Sequence, residues 1–147
     1  MKVEGTHTFK APADRVWDLL TNPTNLQKAL PGCEALEERE PGKYDARLKI
    51  GIAAVKGTYL GKVEIAEPEP PKRYRLMGEG SGSPGFVKGE ATIELSPEGQ
   101  TTVVSYRGEM QVGGLIAGVG QRLIGGVAKM MLGQFFKNME KELKSIG

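Results

Sequence analysis

Between Lys43 and Val112 the chain alternates apolar and polar residues through one short run after another, and a period of two confines it to an antiparallel sheet with one wet face. Tyr44, Ala46, Leu48 and Ile50 alternate with Lys43, Asp45, Arg47 and Lys49. Ala91, Ile93 and Leu95 alternate with Glu90, Thr92 and Glu94, and Val104, Tyr106 and Met110 with Ser105, Arg107 and Glu109. Turn residues punctuate the runs, at Pro41-Gly42 and in the linker Glu67-Pro68-Glu69-Pro70-Pro71. Strands are expected over Lys2–Phe9, Cys33–Glu40, Lys43–Ile52, Val55–Ala66, Arg73–Gly80, Phe86–Leu95 and Thr101–Val112. The apolar face of such a sheet must be covered by another element.

The cover is the stretch Gly113–Phe136, GGLIAGVGQRLIGGVAKMMLGQFF, and the residues after it. It reads as a helix that is apolar on nearly every face and crowded with glycine, a residue costing about 1 kcal/mol against alanine in a helix. On a helical wheel Ile124, Ala128, Met131, Phe135 and Met139 fall on one face, extended by Leu143 and Ile146, with Lys129, Lys137, Lys141 and Lys144 largely opposite. Leu115, Val119, Leu123 and Met130 fall outside that stripe. A continuous helix from Gly114 to Ile146 would run about 48 Å, beyond the reach of a small sheet. Either it bends near Gly125-Gly126 or its first half protrudes. Leu115, Ile116, Val119 and Leu123 are therefore the candidate contact with a membrane or a partner, and the Gly114-to-Gly118 spacing permits close pairing in a homodimer.

Two short helices precede the strands. Pro12 suits a first helical turn, with Val16, Trp17, Leu19 and Leu20 inward, and Asn22 caps a second helix from Pro23 to about Leu30, ended by Pro31-Gly32. The expected fold is α+β over a single domain, residues 1–147: a curved antiparallel sheet of about six to seven strands around a long C-terminal helix.

Glycine recurs on the inward face of the strands. Gly57 and Gly61 are in phase with Tyr59, Gly78 and Gly80 with Leu76, Gly89 with Ala91 and Ile93, and Gly108 lies between Tyr106 and Met110. Each either permits sheet curvature or withholds a side chain from the interior. Together they favour a cavity for a hydrophobic small molecule, lined by Leu48, Ile50, Tyr59, Leu76, Phe86, Ile93, Tyr106 and Met110 from the strands and Ile124, Met131 and Phe135 from the helix.

Composition narrows the function. A net charge of +2, with no basic run interleaved with aromatics, argues against nucleic acid. The single Cys33 excludes an internal disulfide, and MKVEGTHTFK lacks a signal-peptide core, so a cytoplasmic protein is expected. Gln121, Arg122 and Lys129 interrupt the apolar stretch and make it a poor transmembrane span. His7 is the sole histidine and has no ligand or triad partner nearby in sequence, so no metal and no catalytic residue is assigned.

Trp17-Asp18-Leu19-Leu20, Leu26, Leu30-Pro31-Gly32-Cys33-Glu34, Val55-Lys56-Gly57 ahead of Tyr59, Gly89-Glu90-Ala91 and the glycine-rich terminal segment together resemble the CoxG family of carbon monoxide dehydrogenase subunits. The likeness spans essentially the whole chain. It implies the START-like, helix-grip (SRPBCC) superfamily, whose members bind hydrophobic ligands between a curved sheet and a long helix. It also implies a non-enzymatic accessory protein that assists a molybdenum hydroxylase or tethers it to the inner face of the cell membrane. A lipid or prenylated quinone would be the ligand, with no covalent cofactor. Some relatives carry a further C-terminal tail, and this chain ends at Gly147, which points to reversible contact through helix or loops. The alternative within the superfamily is an enzyme, a cyclase or hydrolase, with Tyr59, Tyr106 or His7 as acid-base groups in the pocket.

Overall fold

The computed structural model describes residues 1–52 and 55–145. Seven strands form one antiparallel sheet: β1 (Lys2–Phe9), β2 (Cys33–Glu40), β3 (Lys43–Ile50), β4 (Gly57–Glu69), β5 (Arg73–Gly82), β6 (Gly85–Glu98) and β7 (Thr101–Gly113), in the order β1-β7-β6-β5-β4-β3-β2. β2 to β7 form a meander, and β1 adds to its far edge beside β7 with Val3 opposite Gly108 and His7 opposite Val104. Between β1 and β2 the chain forms α1 (Ala13–Thr21) and α2 (Pro23–Ala29), and after β7 it forms α3 (Gln121–Ser145). Ile146, placed on the helical stripe by its spacing, lies outside the described residues.

The short helices form where the capping chemistry places them. α1 buries Val16, Trp17, Leu19 and Leu20, and the Trp17 indole meets the Tyr74 ring edge-on at 5.3 Å. Asn22 Oδ1 accepts from the backbone N–H of Thr24 at 2.9 Å and of Asn25 at 3.3 Å, which satisfies two otherwise orphaned donors of α2. Asn22→Ala is expected to cost about 1 kcal/mol, read as a lowered urea midpoint with an unchanged slope.

The terminal segment is divided differently from its sequence reading. β7 continues to Gly113, residues Leu115–Val119 form a 3-10 turn, and α3 begins only at Gln121. The break falls at Gly114 (φ 77°) and Gly120 (φ 99°), left-handed conformations that bracket the turn and that glycine adopts without strain. Gly125-Gly126, the expected bend, lies within a continuous helix of 25 residues, about 37 Å long.

The side chains under α3 form two separate apolar clusters. The first joins Phe9, Val16, Trp17, Leu19, Leu20, Leu26, Tyr74, Ile93, Leu95 and Val104 to the second half of α3 through Phe136, Met139 and Leu143. The second joins Ile50, Val55, Tyr59 and Ile116 to the first half through Ile124, with Val127 and Met131 packed against them. The buried face of α3 accordingly rotates by roughly 100° between Ile124–Met131 and Phe136–Leu143, at 3.6 residues per turn. Each half packs on a different partner, which a single straight stripe misses.

Candidate functional site

Cross-strand register places the small residues opposite one another. Gly61 pairs with Gly80 and Ala46, Gly78 with Gly89, and Ala91 with Gly108. These positions share the helix-facing side of the sheet with Tyr59, Leu76, Ile93, Tyr106 and Met110, so a band almost without side chains crosses the middle strands. The glycines in it serve two purposes. A Cβ on Gly108 would stand 1.9 Å from the Glu90 carbonyl oxygen, and one on Gly61 2.3 Å from that of Glu79, so there the strands themselves come too close for any side chain. A Cβ on Gly78 or Gly80 would meet nothing nearer than 3.9 and 3.7 Å respectively, which is ordinary contact. Packing does not demand glycine at those two positions.

Of the expected lining, Leu76, Ile93, Tyr106 and Phe135 belong to the first cluster, and Leu48, Ile50, Tyr59, Met110, Ile124 and Met131 to the second. The structure thus sets these residues at the two ends of the glycine band rather than in one group. Leu48, Val63, Leu76, Val87 and Met110 face α3 from the sheet, and Met131 and Phe135 face the sheet from α3, yet all remain only partly buried. Phe86 is a correction: it is 50% exposed on the opposite face, paired with Ser81 and lying over Gly113. Its parity is opposite to that of Gly89, Ala91 and Ile93, and the inward residue is its neighbour Val87, which strict alternation identifies. Phe136, which the wheel sets aside in favour of Phe135, is the aromatic hub of the first cluster, with the rings of His7, Phe9, Tyr106 and Phe135 all against it.

The polar groups near this interior are mostly occupied. The Tyr59 hydroxyl donates to the Val55 carbonyl at 2.6 Å, and burial pushes its ionisation upward, as it does for Tyr106 and, most strongly, Tyr74. His7 Nε2 lies 2.5 Å from Glu140 Oε1 on α3, a carboxylate 133 residues away in sequence. His7 and Tyr106 each stack on Phe136, at 5.2 and 5.3 Å, whereas Tyr59 lies in the other cluster. Burial pushes the Cys33 thiol up, offset only in part by a backbone hydrogen bond with Ala35, and the thiol donates to the Ala35 carbonyl at 3.3 Å, so it is kept from the reactive thiolate form. Among the described residues no three potential metal ligands converge.

In the 3-10 turn Leu115 is 81% exposed, and on the first half of α3 Leu123 and Met130 are 49% and 54% exposed. Ile116 corrects the expected contact set, being 3% exposed within the second cluster. With three residues per turn of 3-10 helix, Ile116 and Val119 share the inward side and Leu115 points out. Among the described residues no helix is long and apolar enough to cross a membrane.

A curved sheet gripping a long C-terminal helix, with two short helices after the first strand, is the START-like architecture. A START superfamily protein from Mycobacterium smegmatis shares it at a TM-score of 0.76 and 13% identity, over 99% of both chains. TTHA0849 from Thermus thermophilus shares it at 0.74 and 20% identity, over 100% of this chain and 99% of that one. A conserved protein from Geobacillus kaustophilus is far more similar, with a TM-score of 0.96 and 40% identity over 99% of this chain and 96% of that one. The chain belongs to the CoxG family of carbon monoxide dehydrogenase subunits, whose model matches residues 5–144. No curated protein matches it.

Proposed function

We propose that this protein is a non-enzymatic carrier of a hydrophobic small molecule, a lipid or prenylated quinone, and that it serves a carbon monoxide dehydrogenase-type molybdenum hydroxylase at the inner face of the cell membrane. The observation that carries this reading is the glycine band between two apolar clusters, with inward Leu48, Leu76, Val87, Met110 and Met131 only partly buried around it. A close-packed core has no use for bare backbone at its centre, because every missing side chain forfeits contacts. A greasy guest supplies those contacts instead. Membership of the CoxG family supports the assignment to that enzyme class. Exposed Leu115, Leu123 and Met130, with Arg122 and Lys129 beside them, are the surface suited to reversible contact with anionic lipid.

Mixing the purified protein with phosphatidylglycerol vesicles that carry a prenylated quinone tests the proposal. The protein is expected to float with the vesicles and, after separation, to retain quinone in the soluble fraction. No flotation, together with no quinone retained and no lipid co-purifying with the protein, would overturn it.

A further inference from the structure

We propose that the guest passes in and out sideways, through a crevice beside the Pro31-Gly32 turn, and that it therefore bears a flexible hydrocarbon chain able to thread a narrow opening. The proposal rests on the carrier reading and adds its route.

The crevice lies between the end of β3 and the first half of α3, has a volume of about 230 Å³, and is lined by Ile50, Ile52, Met130, Met131 and Gln134. Pro31, Gly32 and Lys49 form its other wall. That wall is fixed: the Lys49 N–H donates to the Gly32 carbonyl at 2.8 Å, and a Cβ on Gly32 would stand 2.3 Å from the Lys49 carbonyl oxygen. The Leu30-Pro31-Gly32-Cys33-Glu34 motif thus builds a rigid jamb. The helix side is soft, because two adjacent methionines, with unbranched and adaptable side chains, face it. Inward, Ile50 and Met131 continue into the cluster of Tyr59, Val87 and Met110 that ends at the glycine band. A crevice of this size falls below the pockets that seat a whole drug-sized ligand, yet its apolar lining suits a chain.

The other end of the same cluster is fastened. The Ile116 N–H donates to the Pro84 carbonyl at 2.8 Å, and a Cβ on Gly114 would stand 2.7 Å from the Gly85 Cα, so the 3-10 turn and the β5–β6 hairpin meet backbone to backbone.

Stopped-flow fluorescence with cis-parinaric acid tests the route. Gly51 also lines the crevice, and among the described residues a Cβ there meets nothing within 4 Å, so Gly51→Phe narrows the mouth, as does Met130→Trp from an exposed position. Either variant is expected to slow association and dissociation together by about tenfold or more, with the Kd held within about threefold, because a constriction raises the barrier without altering the bound state. Leu60→Ala, at a 63% exposed position on the face of the sheet away from α3, is expected to leave both rates unchanged. Wild-type rates in the folded narrowing variants would overturn the route, as would weaker binding with unchanged association, or slowing by Leu60→Ala alone. Failure of the wild-type protein to bind the probe at all would overturn the carrier reading, and the route with it.

Discussion

Gly108→Val is expected to yield no stably folded protein. The added Cβ would lie 1.9 Å from the Glu90 carbonyl oxygen, 2.6 Å from the Ala91 Cα and 2.8 Å from the Ala91 Cβ, all on the neighbouring strand β6. These are not flexible side-chain tips. Relieving the clash means prising β6 from β7 at the longest pairing in the sheet, which runs from Phe86 opposite Gly113 to Glu98 opposite Thr101. The cost belongs with the rare substitutions that exceed about 4–5 kcal/mol, against a total stability for a domain of this size of about 5–15 kcal/mol. Circular dichroism and a urea titration should show loss of the cooperative transition. A variant that unfolds at the wild-type midpoint would show that the strands can separate there at little cost.

Gly78→Leu is expected to do the reverse, keeping the fold and removing the function. Among the described residues its Cβ has only the Lys62 carbonyl oxygen within 4 Å, at 3.9 Å; of its cross-strand partners, Gly89 has no side chain and that of Val63 lies beyond 4 Å, so a leucine has room to start. Replacing a strand glycine also reduces the entropy of the unfolded chain, worth about 0.4–1 kcal/mol where the native backbone accepts the new residue. The leucine would enter the band between the two clusters and fill space the guest needs. The thermal midpoint should stay within a few degrees of wild type, while the affinity for cis-parinaric acid or a prenylated quinone falls by about tenfold or more, a loss of about 1.4 kcal/mol or more.

The sheet is legible in the sequence because alternation is a local signal: Tyr44 to Ile50 and Ala91 to Leu95 show which face is wet without any knowledge of their neighbours. The Asn22 cap is legible for the same reason. The helix boundary is not, since Leu115–Val119 carries an apolar pattern that suits either a 3-10 turn or a helix, and only the positive φ of Gly114 and Gly120 separates them. Phe136 escapes the wheel because a wheel assumes one partner for the whole helix, and α3 changes partner midway, from Ile50 and Tyr59 to Phe9 and Leu19. The pairing of His7 with Glu140 depends on the docking of α3 against β1 and has no trace in local sequence. The division of glycines into those that permit curvature and those that leave room is equally hidden. Spacing alone treats Gly108 and Gly78 alike, and only the distance to the next strand distinguishes them.

The most direct test of the carrier account is to purify the wild-type protein and Gly78→Leu from the same cells, extract each with organic solvent, and identify the extracts by mass spectrometry. The account expects a lipid or quinone in near-stoichiometric amount with the wild type and little or none with the variant, both being folded. Equal amounts from both proteins, or none from either together with no binding of added quinone, would contradict it.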